Sequence, residues 1–157
     1  MVASYITPAG FQALVDEYER MLKVERPIMT REVAYAASLG DRSENAEYKY
    51  GKQRLREIDK RLHYLQKRLQ SVEAVDPKDV AGPIVRFGAT VRFEEDESGD
   101  EKQVQIVGTD EIDTVNGRVS FNSPIARAFL GKSVDDPATI QTPQGPRSVV
   151  ITEITWE

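Results

Sequence analysis

Cysteine is missing from all 157 residues, which excludes disulfides, thiolate metal sites and a thiol nucleophile. Histidine occurs once, at position 63. One imidazole with no second nearby makes neither a zinc cluster nor a Ser/His/Asp set. No Gly-rich phosphate loop is present. No apolar run approaches the roughly 18 residues that a membrane span needs. The start, Met-Val-Ala-Ser-Tyr-Ile-Thr-Pro, lacks the basic flank and apolar core of a secretory signal. The expectation is a soluble, cytoplasmic protein with no membrane partner. Positive charge is in deficit overall, at a net −5. The deficit is uneven: residues through Val75 hold 13 Lys+Arg against 11 Asp+Glu, and those from Asp76 hold 8 against 15. A general nucleic-acid binder needs clustered cations with little opposing charge, so any such contact should be local to the first half.

Helical patterning dominates that half. Thr7-Pro8 supplies an N-cap and a first-turn proline, and Phe11, Leu14, Tyr18 and Met21 recur on one helical face. Pro27 should kink or open the helix, after which Ile28, Met29, Val33, Tyr35 and Ala36 resume in a shifted phase, up to a stop at Leu39-Gly40. A second helix carries a heptad seam: Tyr48, Leu55, Leu62 and Leu69 alternate with Gly51, Ile58, Leu65 and Val72. Two striped helices joined by a short turn should lie antiparallel. About thirty residues per arm gives a hairpin roughly 45 Å long, with Asp41 and Glu44 at its far tip.

The outer face of the second helix is basic, with Lys49, Lys52, Arg54, Arg56, Lys60, Arg61, Lys67 and Arg68. It reads either as a solvated face with internal pairs such as Glu57 to Arg61 or as a patch for RNA or an acidic wall. His63 should be exposed beside the seam.

Beyond Asp76-Pro77 the period changes to two. Val85, Phe87, Ala89, Val91 and Phe93 read as one strand, Glu94–Glu101 as a solvated acidic turn, and Val104 and Ile106 as the next strand. Asn116-Gly117 signals a hairpin turn. Ser123-Pro124 caps a short helix stopped by Gly131, and Pro143-Gln144-Gly145-Pro146 turns into a last strand with Val150, Thr152, Ile154 and Trp156 on one face. The whole is α+β: residues 1–76 a coiled-coil hairpin, residues 77–157 a small antiparallel sheet with one helix.

The tip itself, Gly40-Asp41-Arg42-Ser43-Glu44-Asn45-Ala46-Glu47-Tyr48, supports three readings. Asp41 and Glu44 could form a D-x-x-E relative of the capping box. They could stand in a solvated turn. Or they could be oxygen ligands carried on a stalk to a hard cation such as Mg²⁺ held mainly by another molecule.

The run from Ala36 through Tyr48, with Val107-Gly108-Thr109-Asp110-Glu111-Ile112 and Ser123-Pro124-Ile125-Ala126-Arg127-Ala128-Phe129-Leu130, resembles the Gre transcript-cleavage factors of bacterial RNA polymerase. Asp41-Arg42-Ser43 and Arg54-Leu55-Arg56-Glu57-Ile58-Asp59-Lys60-Arg61 are nearer its GreB branch than its GreA branch. The resemblance implies a coiled-coil hairpin followed by an FKBP-like domain, monomeric when free. The domain would dock at the rim of the polymerase secondary channel while the hairpin threads inward. Residues matching Asp41 and Glu44 would help hold the second catalytic Mg²⁺, shared with the polymerase and not bound by the free protein. The polymerase would then hydrolyse the 3′ RNA of a backtracked complex, so the chain would be an activator and not an enzyme. Ser43 would orient water or substrate, or stabilise the helix start. Lys52, Arg54, Arg56 and Lys60 match the region that meets RNA. Asn122, Ser123 and Pro124 match the polymerase-docking segment, with Asn122 where relatives often carry Asp. The competing functions are a channel regulator that does not cleave and a coiled-coil adaptor unrelated to polymerase.

Overall fold

Pro27 has no N–H to donate, and its ring crowds the carbonyl four residues back. The helix answers this one turn early. Helix α1 spans Pro8–Arg20 and α2 spans Arg26–Ser38, and between them Met21–Glu25 is wound as a π-helix whose closing bond runs from Arg26 N–H to Met21 O. That turn inserts one residue into the helical repeat. Leu14 and Met21 are buried seven apart, and the next fully buried side chain on this arm, Ala36, comes fifteen later. Fifteen is two heptads plus the inserted residue, which accounts for the shifted phase.

The computed structural model describes residues 4–40 and 44–157. It divides into Phe11–Ser71 and a second unit made of Met1–Gly10 with Val72–Glu157. In the first unit α3, Ala46–Ser71, runs beside α2. Gly51, Ile58, Leu62 and Leu65 are buried on it and Tyr48, Leu55 and Leu69 half-buried, as the heptads require. Gly51 costs helix propensity, about 1 kcal/mol against Ala. Its place is explained by close approach: a Cβ there would stand 2.5 Å from Val33 Cγ2. The arms are also joined by paired ionic bonds. Arg26 meets Asp59 at 2.7 and 3.3 Å, and Arg61 meets Glu17 at 2.7 and 2.9 Å.

In the second unit a parallel ribbon pairs β1, Ser4–Ile6, with β2, Val72–Ala74. A five-stranded sheet follows: β3 Thr90–Glu95, β4 Glu101–Val107, β5 Arg118–Ser120, β6 Pro137–Thr142 and β7 Gly145–Thr155, in the order β5-β4-β3-β7-β6. Helix α4, Pro124–Phe129, contributes Ala126 and Phe129 to the core, and the Phe129 and Phe93 rings lie 5.0 Å apart.

The sheet corrects the expectation of an antiparallel one. Pairs β3–β4, β3–β7 and β6–β7 are antiparallel, but β4 and β5 are parallel. The reason lies at Asn116-Gly117. Asp113 accepts from Asn116 N–H at 3.4 Å and from its amide at 2.6 Å, capping a 3₁₀ turn, Thr114–Asn116, that ends on left-handed Gly117. The chain does reverse there, but only one antiparallel bridge forms, Asp113 with Arg118. The following strand then runs alongside β4 in the same direction.

Two more expectations shift. Val85, Phe87 and Ala89 are buried, yet the strand begins only at Thr90, because Gly88 is left-handed (φ 90°) and breaks the extended run. On β7 the buried residues are Val149 and Ile151, not Val150 and Thr152. Arg92 pairs with Glu153 while Phe93 pairs with Ile151, so Thr152 is the extra residue of a β-bulge. Its hydroxyl donates to Arg92 O at 3.1 Å. The bulge moves the face by one position, which brings Ile154 and Trp156 back against the core.

Candidate functional site

Helix α3 starts at Ala46, and the side chain that caps it belongs to Asn45. Asn45 Oδ1 accepts from Tyr48 N–H at 3.0 Å, the N-cap-to-third-position bond, and Asn45 O receives the first helical bond from Lys49 N–H at 3.0 Å. This overturns the capping-box reading of Glu44. It stands ahead of the cap, where no helical N–H is in need of it, and its side chain is exposed. Asp41, Arg42 and Ser43 lie outside the described residues, so of the two tip acids only Glu44 has a described position. Glu47, in the first turn of α3, is exposed.

Asn45 also reaches the other arm: its Nδ2 donates to Ala36 O at 2.7 Å. Ala36 O accepts Leu39 N–H at 3.2 Å as well, so a carbonyl from the last turn of α2 is doubly satisfied. A groove of about 660 Å³ lies nearby between α2 and α3, lined by Met29, Tyr35, Tyr50 and Gly51 among others. Neither Glu44 nor Lys52, Arg54, Arg56 or Lys60 lines it. Arg54 and Lys60 line smaller surface grooves further along α3, with Glu57 in both.

The basic stripe separates into two sets. Arg54 is half-buried and lies 3.3 Å from Glu57 and 3.6 Å from Glu25, and Arg61 is held by Glu17 and sits 5.0 Å from the Tyr64 ring centroid. Lys52, Arg56 and Lys60 are exposed and make no ion pair among the described residues. His63 is exposed. The arm-to-arm pair Arg26–Asp59 moves both groups in the direction of charge: the hydrogen bond from Arg26 holds the Asp59 carboxyl below its ordinary 3.8, and Asp59 raises Arg26.

In the second unit Asn122 and Pro124 are exposed and Ser123 is half-buried, at the start of α4. Ser123 Oγ caps the helix by accepting from Ala126 N–H at 3.3 Å. Ser120 Oγ donates to Asn122 Oδ1 and accepts from Asn122 N–H at 3.2 Å, closing a tight turn.

One carboxylate in this unit went unread in the sequence. Glu111 is 7% exposed, in a 3₁₀ turn after β4. It accepts from Thr7 N–H at 3.0 Å, Thr7 Oγ1, Gly108 N–H at 2.9 Å and Arg118 Nη2 at 3.1 Å. Thr7 Oγ1 in turn accepts from Gly10 N–H at 3.1 Å, the expected cap of α1. Gly10 must be glycine here, because a Cβ would run into the Glu111 carboxyl. The position lies within the Val107–Ile112 run, but nothing in its spacing marks it as a buried anchor.

Two family descriptions match the chain end to end. "Transcription elongation factor, N-terminal" covers residues 4–73, and "Transcription elongation factor, GreA/GreB, C-term" covers residues 80–156. The transcription elongation factor GreB of Haemophilus ducreyi is 47% identical over 155 residues, 99% of this chain and 95% of that protein. That of Pasteurella multocida is 48% identical over 155 residues, 99% of this chain and 98% of that one. A solved structure of Gfh1, a GreA factor homolog from Thermus thermophilus, aligns with 98% of this chain and 99% of that one, at a TM-score of 0.45 and 24% identity. Full-length matches at this identity place the chain in the GreA/GreB family of transcription elongation factors, among its GreB-like members.

Proposed function

We propose that this elongation factor stimulates cleavage of the 3′ RNA in backtracked complexes of bacterial RNA polymerase by carrying Glu44 and Asp41 to the polymerase's own catalytic centre. The observation that carries this reading is the division of labour at the tip. Asn45 does the capping, which leaves the exposed Glu44 carboxylate available for chemistry.

A carboxylate oxygen is a hard donor of the kind Mg²⁺ takes. Among the described residues no group of three or more His, Cys, Asp or Glu gathers to hold an ion. A tip offering one or two carboxylates suits a partial shell, completed by ligands from the polymerase. When bound there, Mg²⁺ would lower the pKa of a water and stabilise charge on the attacking and leaving oxygens. This chain's part is to add negative charge and oriented oxygens at that point. Ser43 would orient the water or the substrate. Lys52, Arg56 and Lys60, with no ion pair among the described residues, are the cations best placed to meet RNA phosphates. Arg54, shared with Glu25 and Glu57, would contribute less.

Asn122, Ser123 and Pro124 supply the docking turn in this reading, the sheet unit is FKBP-like, and the free protein is a monomer of the cytoplasm. In this reading the polymerase supplies the rest of the catalytic site, and the factor alone would hydrolyse nothing.

The test is 3′ RNA cleavage in a stalled, backtracked complex with Mg²⁺ at neutral pH, comparing wild type with Asp41→Asn and Glu44→Gln. Each variant removes charge and little volume. Wild type should cleave, and both variants should bind polymerase with most of the cleavage lost. Variants that cleave like wild type would remove the ligand assignment. A wild type that binds without cleaving would be a channel regulator, and one that does not bind would be an adaptor.

A further inference from the structure

Among the described residues, the Asn45 side chain joins the two ends of the tip. Asn45 accepts from α3 through Oδ1 and donates to α2 through Nδ2, across nine positions of sequence. Both partners are groups that a helix leaves over at its ends: an early N–H of α3 and a late C=O of α2. The two bonds also fix the amide's orientation, since a carbonyl needs a donor and an N–H an acceptor. Few side chains can replace it. Asp and Ser cap a helix as well as Asn, but a carboxylate has nothing to donate, and the Ser hydroxyl is too short to serve both arms.

Glu44 precedes Asn45 directly, so its backbone leaves from a residue pinned to both helices. We propose that Asn45 is the positioning residue of the tip: it locks the two ends of the turn together and so aims the Glu44 carboxylate at the shared ion. This rests on the cleavage reading above. A ligand whose neighbouring backbone is already fixed loses less freedom when the ion arrives. Removing such support typically lowers metal affinity or activity 10- to 100-fold.

The test compares wild type, Asn45→Ser and Asn45→Ala in full-length protein. Asn45→Ser keeps a neutral cap for Tyr48 N–H and loses only the bond to Ala36 O, whereas Asn45→Ala loses both. Three quantities are measured: amide hydrogen exchange at Tyr48 in the free protein, polymerase binding, and the Mg²⁺ concentration giving half-maximal cleavage in a backtracked complex. For Asn45→Ser the Tyr48 amide should stay protected and binding should match wild type, while the Mg²⁺ requirement rises about tenfold or more. Asn45→Ala should show the same rise together with faster exchange at Tyr48. An unchanged Mg²⁺ requirement in Asn45→Ser would overturn the positioning role. So would a loss of binding and cleavage in equal proportion at every Mg²⁺ concentration, which is the mark of a structural defect. Absence of cleavage by wild type would instead overturn the reading on which the proposal rests, and the role of Asn45 toward the ion with it.

Discussion

The hairpin and the sheet unit solve the same problem in opposite ways. The hairpin buries a single line of side chains, Leu14, Met21, Ala36, Ile58, Leu62 and Leu65, so each is supported only by neighbours at its own level. The sheet unit gathers twelve buried residues from the sheet, α4 and the loop before β3 into one cluster. A seam tolerates change at its end without disturbing its length, and so an exposed acid can be carried at the tip. A single cluster transmits strain throughout, and the turn at 122–124 is set on it through Ala126 and Phe129 of α4.

The largest expected break in this contrast is in the cluster. Phe129→Ala should destabilise the sheet unit by about 3–5 kcal/mol, read by denaturant unfolding. Leu65→Ala in the seam should cost less, about 2–3 kcal/mol, because a hairpin arm can close part of the gap. Equal costs would mean that the seam is as tightly coupled as the core.

Glu111 sharpens the comparison next, since it is a polar anchor of a kind the described part of the seam lacks. Glu111→Ala leaves the N–H groups of Thr7 and Gly108 without their acceptor and Arg118 without its nearest carboxylate. A loss of about 2–3 kcal/mol follows. A change within about 0.5 kcal/mol would show that water replaces the carboxylate at no cost.

Acid should act weakly on both units. The hydrogen bond from Arg26 lowers Asp59 in the hairpin, and that from Lys102 lowers Glu95 in the sheet, with Arg147 adding to it. Carboxyls whose folded pKa lies below the unfolded value stabilise the fold above their ordinary values of 3.8 and 4.5. That stability is lost as pH falls through the lower folded values. Thermal midpoints should thus hold from pH 7 to about 5 and decline modestly below about 4. A midpoint that rose on acidification would contradict the pairing.

Much of this was legible in the residues. The α3 heptads placed the seam from Tyr48 to Leu69, because burial along a helix follows period, but the last seam position, Val72, lies in β2 beside Ser4 instead. Pro27 foretold an irregularity, though not that a π-turn would absorb it and preserve the face. Strands were read less well. The Val149–Trp156 segment alternates acceptably in either phase, and only the pairing with β3 reveals the bulge at Thr152. Strands β1, β2 and β6 leave no clear signal in the sequence. The first two are three residues long, and all three depend on partners distant in sequence or on a turn that sets their register. At the tip, spacing drew attention to Asp41 and Glu44 and passed over Asn45, since a bond from one helix end to the other leaves no period. Glu111 was hidden for the same reason.

Glu44 must be free to serve an ion held mainly by another molecule if the hairpin is to act as proposed. The most direct test is Glu44→Gln, followed for polymerase binding and for 3′ RNA cleavage in the same backtracked complex. Binding equal to wild type with most of the cleavage lost is the predicted result. Cleavage equal to wild type at the same occupancy would contradict it, and the exposed acid ahead of Asn45 would be a surface residue with no part in the chemistry.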